Sequence, residues 1–494
     1  MIKVVSLKMT CIMFVFSAAV STVAYAQTFK SLASFDGTDG YQPYAGLVQG
    51  TDGNFYGTTL GGGNTNCSLG CGTVFRIAPA GKLTILYGFC SQLGCPDGYY
   101  PWGGLVLATD GNFYGTTYAG GPGGLGNIFR ITATGKLTNV SGFCNGGQCG
   151  GEGPFSGLVL ARDGAFYGTT YFGGANNAGT VFRITPSGDL TTLYSFCTQA
   201  NCTDGTHPWA GLVQGTDGNF YGTTLYGGAN INQLCDSNGS GCGTVFKISS
   251  SGKLTTLYSF CAQSSCADGA NPWAGLVQAN DGNLYGTTTY GGGLNCSNDC
   301  GTAFRITPAG QLTTIHSFCT STCADGFHPY AGLIQGTDGN LYGTTSIGGV
   351  NFGGVIFKLT TSGTVTPLYS LCQTTGCGYF PWAPLLQGTD GNFYGTASEG
   401  GINNSGTVFS LSTGLAPFVG FVRDFGKVGS KVEILGQRFK GTTQVSFNGT
   451  AAKFAIHSNT YLTATIPSGA TSGFVTVTTP KRKLKSNKIF RVVR

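Results

Sequence analysis

Short apolar segments alternate with glycine-rich polar turns along most of the chain, and four such segments make one recurring unit. In one unit they are "AGLVQG" (210–215), "NFYGTTLY" (219–226), "GTVFKIS" (243–249) and "KLTTLYSF" (253–260). Alternation and the β-branched and aromatic content are typical of strands. "TDG" and "SSSG" form tight turns between the first two and the last two segments. Each unit is therefore predicted to be a four-stranded antiparallel sheet.

The Asp-Gly turn marks seven units, spaced 58, 53, 54, 64, 57 and 52 residues apart. Its aspartates are Asp52, Asp110, Asp163, Asp217, Asp281, Asp338 and Asp390. This period is that of propeller blades. The seventh "GTVF" (406–409) lacks a following fourth strand, but "TFKSLASF" (28–35) precedes the first unit and matches that strand. The pattern predicts an all-β, seven-bladed β-propeller over 27–413, closed by its N-terminal strand.

The repeated pattern "GLVQGTDGNFYGTTLYGG…CGTVFKISSSGKLTTLYSF" resembles the GloVer tandem-repeat family of exported bacterial proteins over residues 28–411. The resemblance implies the repeat architecture and leaves the activity undefined. Residues 414–494 differ from the repeat region. They contain no cysteine, and their pattern predicts six or so short strands.

The run from Gly429 through "ILGQRF", "VSFNG", "ATIPSG" and "GFVTVTTP" resembles an IPT/TIG immunoglobulin-like domain, with "KIFRVV" (488–493) as its closing strand. The resemblance implies a β-sandwich that serves as a spacer or accessory binding module.

The first 26 residues have the composition of a secretory signal peptide. Lys3 and Lys8 precede an apolar run (9–23), and "AYA" (24–26) provides small residues for cleavage. The run is short for a membrane span. The mature chain is predicted to begin at Gln27, to have no transmembrane span, and to be exported to the periplasm, the cell surface or the medium.

Cysteine usage favours export. The chain has 19 cysteines, and without Cys11 the remaining 18 form nine close neighbours in sequence. The neighbours are Cys67/Cys71, Cys90/Cys95, Cys144/Cys149, Cys197/Cys202, Cys235/Cys242, Cys261/Cys266, Cys296/Cys300, Cys319/Cys323 and Cys372/Cys377. Loop-local disulfides are predicted. Zinc binding is the alternative, but it needs a second pair brought close; no metal and no cofactor are predicted.

All nine pairs fall in the loops that leave the fourth or the second strand, which emerge on one face of a propeller. This disulfide-bonded face is the predicted binding surface, because loops on a rigid scaffold often carry function. Alternatively, the disulfides only compensate for a glycine-rich chain.

Each unit also places a Pro-aromatic pair on that face, just before its first strand. The aromatic residues are Tyr44, Trp102, Phe155, Trp209, Trp273, Tyr330 and Trp382. Such rings suit sugars and protein partners. The alternative is that they pack between neighbouring blades.

Catalytic signatures are sparse. Four histidines form no recognisable constellation, and the hairpin aspartates, with a cation near the end of most third strands, suggest repeated turn caps or ion pairs. Glu399 and Glu152 break the repeat, Glu152 in place of a loop aspartate. Glu399 is the one weak catalytic candidate.

Charge is divided between the two predicted domains. Residues 27–414 carry 11 Lys and Arg against 18 acids, net −7, whereas 415–494 carry 13 against 2, net +11. The basic run "KRKLKSNK" (481–488) suits acidic polysaccharide, lipopolysaccharide or a membrane surface. A solvated hairpin or contact with the acidic propeller are the alternatives, and export disfavours nucleic acid as a partner.

These observations predict an exported, non-catalytic binding or scaffold protein that recognises a glycan or a cell-surface partner through its disulfide-bonded loops. The alternative is a secreted polysaccharide-acting hydrolase or lyase on the same scaffold.

Overall fold

The computed structural model describes residues 27–144, 150–232, 235, 241–292, 300–373 and 376–493. These residues are almost entirely strands and turns, and they contain no α-helix. Two short 3-10 turns, Ala200–Cys202 and Ser264–Cys266, are the helical elements of this part of the chain. The all-β class predicted from the sequence is therefore correct.

Four-stranded antiparallel sheets with one repeated strand order make up residues 28–412 of the described chain. Six of them are continuous in sequence, and we number them sheets 1 to 6. Their strands are Val48–Gln49, Phe55–Thr59, Thr73–Ile77 and Leu83–Gly88 in sheet 1; Val106–Leu107, Phe113–Thr117, Asn127–Ile131 and Leu137–Gly142 in sheet 2; Val159–Leu160, Phe166–Thr170, Thr180–Ile184 and Leu190–Ser195 in sheet 3; Val213–Gln214, Phe220–Thr224, Thr244–Ile248 and Leu254–Ser259 in sheet 4; Val277–Gln278, Leu284–Thr288, Thr302–Ile306 and Leu312–Ser317 in sheet 5; and Ile334–Gln335, Leu341–Thr345, Phe352–Leu359 and Val365–Cys372 in sheet 6.

The last sheet, sheet 7, combines both ends of this region. Leu386–Gln387, Phe393–Ala397 and Thr407–Ser412 supply three strands, and Thr28–Ser34 is the fourth. It runs antiparallel to Thr407–Ser412, with Thr28 opposite Ser412. The N-terminal strand expected from the sequence therefore pairs where the repeat lacks its own fourth strand.

Neighbouring sheets are joined by the same contacts throughout. The first threonine of "GTT" donates from its Oγ1 to a backbone carbonyl of the next sheet, as Thr58 does to Gly103 (3.1 Å). Sheet 7 makes this contact with sheet 1, from Thr396 to Ala45 (3.2 Å). The strand tyrosine also stacks against the next sheet, and Tyr394 lies 3.9 Å from Phe55 between ring centroids. Sheet 7 thus contacts sheet 1 as any sheet contacts its successor.

The glycine within the second strand is required by packing. A Cβ placed on Gly222 would lie 2.6 Å from the Phe246 ring and 2.8 Å from Leu212. The equivalent glycines of the other sheets are crowded in the same way by the third-strand phenylalanine. The second strands are buried along their whole length, so the motif "NFYGTT" forms the interior of each sheet.

The C-terminal domain is an immunoglobulin-like sandwich. One sheet contains Gly420–Phe421, Lys431–Leu435, Tyr461–Thr465 and Phe454–Ile456; the other contains Thr450–Ala452, Gln444–Phe447, Val475–Thr478 and Lys483–Lys485. A parallel pair, Phe425–Lys427 with Arg491–Val493, adds the predicted closing strand. Val432, Ile434, Phe447 and Val477 are among the buried residues between the sheets.

A further two-stranded pair, Gly378–Tyr379 with Glu399–Gly400, lies in the repeat region.

Candidate ligand-binding face

Disulfides hold the loops of the predicted binding face. Seven join the expected neighbours within the described chain: Cys67–Cys71, Cys90–Cys95, Cys197–Cys202, Cys235–Cys242, Cys261–Cys266, Cys319–Cys323 and Cys372–Cys377. Six of these seven lie in a loop after a second or a fourth strand, and the seventh joins Cys372, the last residue of a fourth strand, to Cys377 in the loop that follows.

The other two predicted pairs, Cys144 with Cys149 and Cys296 with Cys300, each have one member in the described chain. Cys149 and Cys296 lie outside the described residues. Cys144 and Cys300 are both disulfide-bonded, and Cys300 is fully buried, with its sulfur 3.9 Å from the Cys319 carbonyl oxygen. Neither pair is therefore among the seven disulfides above, and the pairings of Cys144 and Cys300 stay predictions.

One pair of disulfides meets the geometric condition for a metal. The sulfur atoms of Cys235, Cys242, Cys261 and Cys266 all lie within 4.8 Å of one another. They form two disulfides, however, and a metal would need the free thiolates. In the oxidised state these residues stiffen two adjacent loops.

The backbone before each Pro-aromatic pair is in the left-handed region. Gln42 has φ 53°, Tyr100 58° and His207 53°, and the corresponding residues of the other units also have positive φ. The following prolines are buried. Non-glycine residues adopt this conformation rarely, and such strain tends to collect at functional positions. The aromatic side chains that follow these bends all line one cavity.

The seven aromatic side chains contact one another as a single cluster, which we call the aromatic cluster. Three pairs stack: Tyr44 on Trp102 (4.8 Å), Phe155 on Trp209 (4.0 Å) and Tyr330 on Trp382 (4.1 Å between ring centroids). Edge contacts join the pairs, including Tyr44 with Trp382 (5.5 Å). Each of the seven side chains is half-buried. Each stacked pair joins rings of two neighbouring sheets, as the alternative of packing between blades expects, and each ring also keeps part of its surface exposed.

Trp273 is the member left without a stacked partner. Its ring is tilted by 60° against Trp209, at 4.5 Å, and edge-on to Tyr330 and Trp382. Its Nε1 is buried and has no hydrogen-bond partner in the described chain. Seven rings cannot all pair, which leaves Trp273 outside the three stacks.

The cluster forms the rim of a central cavity of about 480 Å³. In the segment that leads into each first strand, exposed and buried positions alternate. In the first unit, Tyr44, Gly46 and Val48 are half-buried, whereas Ala45 and Leu47 are buried. The described residues that line this cavity include no Asp, Glu, His, Lys, Arg or Cys. The described lining is therefore mainly aromatic and aliphatic surface.

Glu399 lies beside the cluster. Burial, followed by the negative charge of Glu399, raises the pKa of Tyr44 to about 12. Glu399 pairs through its backbone with Tyr379, and burial and the Glu399 carboxylate also raise the pKa of the Tyr379 hydroxyl. The carboxylate is thus at the edge of the aromatic surface, outside the cavity lining.

Glu152 occupies a different repeat position from the one expected. Its backbone bridges Phe172, as Tyr99 bridges Ala119 and Thr206 bridges Tyr226. The prediction that it replaces a loop aspartate was therefore wrong, because a shorter loop shifts the alignment. Glu152 belongs to sheet 3 and Glu399 to sheet 7, so the two acids are not a neighbouring pair.

The loop aspartates have a role that the sequence did not reveal. Asp97, Asp204 and Asp268 are buried, and each accepts a hydrogen bond from a fourth-strand tyrosine, as from Tyr87 to Asp97 (2.8 Å). In sheet 5 a histidine replaces the tyrosine, and the His316 Nε2 lies 2.8 Å from the Asp325 carboxylate. These pairs fix the disulfide-bonded loops to the sheets.

The hairpin aspartates lie at the opposite end of the sheets and act as turn caps. In sheet 4, Asp217 accepts hydrogen bonds from the Asn219 backbone (3.1 Å), the Asn219 amide (2.7 Å) and the Tyr221 hydroxyl (2.8 Å). Among the described residues, one third-strand cation makes a salt bridge to a hairpin aspartate, Arg183 with Asp163 (3.0 Å). The turn-cap interpretation is correct, and the repeated ion pair is not observed.

The basic run lies on an edge strand of the C-terminal domain. Lys483–Lys485 is the last strand of its sheet, and the Lys481, Lys483 and Lys485 side chains are exposed. The Lys485 ammonium also lies 3.7 Å from the centre of the Phe474 ring. Exposed lysines on an edge prevent further strand pairing. In the described part of the chain, no helix is long and apolar enough to cross a membrane.

Comparison with protein-family models gives two matches. The Gloeobacter/Verrucomicrobia repeat model matches residues 15–235 and 233–434, and the IPT/TIG domain model matches residues 420–489. No curated protein matches the chain.

Solved structures resemble the chain at low identity. An α-L-arabinanase from Penicillium chrysogenum is 9% identical over 76% of this chain and 95% of its own, with a TM-score of 0.40. A Bacteroides uniformis protein assigned as a 6-phosphogluconolactonase is 18% identical over 66% of this chain and 83% of its own, also with a TM-score of 0.40. A puromycin hydrolase is 13% identical over 74% of this chain and 52% of its own, with a TM-score of 0.43.

Proposed function

The chain belongs to the Gloeobacter/Verrucomicrobia repeat family, and from this premise we propose that it is an exported binding protein whose ligand docks on the aromatic cluster. The scaffold is a closed seven-bladed propeller over residues 27–413, followed by the IPT/TIG module at 414–494. Disulfides support export, because they persist in oxidising compartments. The signal peptide at 1–26 is part of the same proposal and lies outside the described residues.

The observation that carries this proposal is the convergence of seven aromatic side chains at one cavity whose described lining contains no Asp, Glu, His, Lys, Arg or Cys. Large aromatic surfaces with one polar edge suit the apolar faces and hydroxyl groups of sugars. A glycan is therefore the ligand class that we propose. Glycans coat cell surfaces, where an exported protein would meet them.

The test is a glycan array with the mature chain, followed by titration of the strongest ligand. Trp273→Ala and Trp209→Ala should each weaken binding on the order of tenfold, because each removes a stacking surface. Phe352→Ala is the matched control, since Phe352 is an exposed aromatic residue on the same face but outside the cluster. Equal affinity of all three variants would refute the proposal.

The second candidate is a polysaccharide-acting hydrolase or lyase, and the position of Glu399 beside Tyr44 favours it. Such an enzyme usually needs two carboxyl groups within about 10 Å of each other, whereas Glu152 lies in a non-adjacent sheet. Turnover of a bound glycan that disappears in Glu399→Gln would establish catalysis. Binding without turnover in the wild type would favour the binding protein.

A further inference from the structure

The seven units differ from one another at the end of the central cavity that lies opposite the aromatic cluster. In five sheets a glutamine ends the first strand and accepts a backbone N–H from the preceding sheet, as the Gln278 Oε1 does from Thr216 (2.8 Å). The five are Gln49, Gln214, Gln278, Gln335 and Gln387. In sheets 2 and 3 the position is Leu107 or Leu160, and Arg162 follows where most units have threonine.

The C-terminal domain lies against this end of the sheets. The Thr460 hydroxyl donates to the Thr51 carbonyl (2.9 Å), and the Gln437 amide donates to the Thr389 hydroxyl (3.0 Å). Leu435 of the C-terminal domain belongs to the same buried apolar cluster as Leu107. The departures at sheets 2 and 3 therefore face the second domain.

Two adjoining cavities, of about 410 and 330 Å³, lie between the domains. The apolar lining residues include Val106, Leu160 and Phe421. The lining also contains four cations: Arg162 and Lys488 line both cavities, Arg423 lines the larger and Arg491 the smaller, and Asp424 is the single acid among the described lining residues. The junction thus combines an apolar lining with an excess of positive charge.

Two guanidinium groups from different domains converge on one carbonyl oxygen. The Thr216 oxygen accepts from Arg491 Nη1 (3.0 Å) and from Arg162 Nη1 (3.4 Å). Neither arginine makes a salt bridge with a carboxylate of the described chain. Burial, followed by the charge of Arg491, lowers the pKa of Arg162, although Asp424 and Asp217 oppose the shift. Like charges held this close repel each other, so an anion placed between them would be stabilised.

We propose that this junction binds an anionic amphiphile, with its carboxylate or phosphate head between Arg162 and Arg491 and its aliphatic chain against the apolar lining residues. Guanidinium groups recognise both head groups through paired hydrogen bonds. The hydrogen bond from Arg491 to Thr216 joins the two domains, but the repulsion between the two guanidinium groups opposes this contact, and an anion between them would remove that repulsion. The site is separate from the aromatic cluster and does not depend on the proposed function.

The experiment is calorimetric titration of the mature chain, 27–494, with decanoate and decyl phosphate below their micelle concentrations. Both should bind, whereas acetate and 1-decanol should bind at least tenfold more weakly. Arg162→Thr restores the residue that most units carry, and Arg491→Gln removes the second guanidinium. Each should weaken decanoate binding about tenfold, the effect of one charge-assisted hydrogen bond.

Lys82→Thr is the charge-matched control, because Lys82 is exposed in a tight turn, and it should bind decanoate like the wild type. Thermal unfolding of each variant verifies that it is folded. Unchanged affinity in both arginine variants would overturn the proposal, as would equal binding of 1-decanol or acetate. Loss of decanoate binding in Trp273→Ala, with retention in Arg162→Thr, would also overturn it by placing the ligand at the aromatic cluster.

Discussion

At the scale of single residues, the hairpin aspartate explains why the turn is repeated so faithfully. One carboxylate closes the turn through Asn219 and also fixes the Tyr221 hydroxyl of the second strand. The Tyr221 ring itself is buried. A turn and a core position are thus linked by a single side chain.

Removal of this carboxylate should destabilise the fold. Asp217→Ala leaves the Tyr221 hydroxyl and the Asn219 donors without an acceptor, so we expect a loss of about 1–3 kcal/mol in the free energy of unfolding. Urea unfolding monitored by tryptophan fluorescence measures it. Asp189→Ala is the control, because Asp189 bonds only within its own exposed turn, and a loss as large as that of Asp217→Ala would contradict this account.

The same aspartates should make stability dependent on acid pH. Burial of Asp217 and Asp281 raises their pKa. The hydrogen bonds from asparagine and tyrosine outweigh burial and lower the pKa of both aspartates below the ordinary value of 3.8. A carboxylate whose pKa is lower in the folded than in the unfolded state stabilises the fold at pH values above its unfolded-state pKa. This contribution disappears as the pH falls through the folded-state pKa. Unfolding free energies below about pH 4 should therefore fall more steeply in the wild type than in Asp217→Asn.

At the scale of elements, the N-terminal strand completes the last sheet. It pairs with Thr407–Ser412, and Phe29 also stacks on Tyr369 of sheet 6 (4.0 Å between ring centroids). Without it, the edge of sheet 7 would be open to pairing with other chains.

Phe29→Ala should loosen this strand. The half-buried ring loses its stack on Tyr369 and its contact with Phe409, so we expect about 1–2 kcal/mol lower stability and faster aggregation on heating. Urea unfolding and light scattering measure the two effects. Phe352→Ala, which truncates an exposed ring, should change neither, and equal behaviour of the two variants would contradict a sealing role.

At the scale of the whole molecule, the two domains share a core. Leu435 packs in one cluster with Leu107 and Phe113 of sheet 2. Because this contact crosses the domain boundary, we expect the wild type to unfold in a single calorimetric transition.

Leu435→Ala should separate the domains energetically. The substitution leaves a cavity at the junction and should cost about 2–4 kcal/mol, and scanning calorimetry should then resolve two transitions. Val445→Ala is the control, since Val445 is buried entirely within the C-terminal domain and should leave the junction intact. A single transition in Leu435→Ala would show that other contacts couple the domains.

Local signals in the sequence determined the strands, the tight turns, the neighbouring cysteine pairs and the displaced strand at 28–35. Strand alternation, turn chemistry and repeat spacing depend on residues close in the chain, so they can be read without a structure. The family and the C-terminal IPT/TIG domain followed from the same motifs.

Tertiary structure alone decided which of these features meet. The sequence shows seven equivalent aromatic residues, but only their convergence in the structure decides which of them stack in pairs and that Trp273 stays outside the stacks. The repeat position of Glu152 is set by its backbone bridge to Phe172, which the sequence did not reveal. Arg162 and Arg491 are more than three hundred residues apart, and only the docking of the second domain brings their charges together.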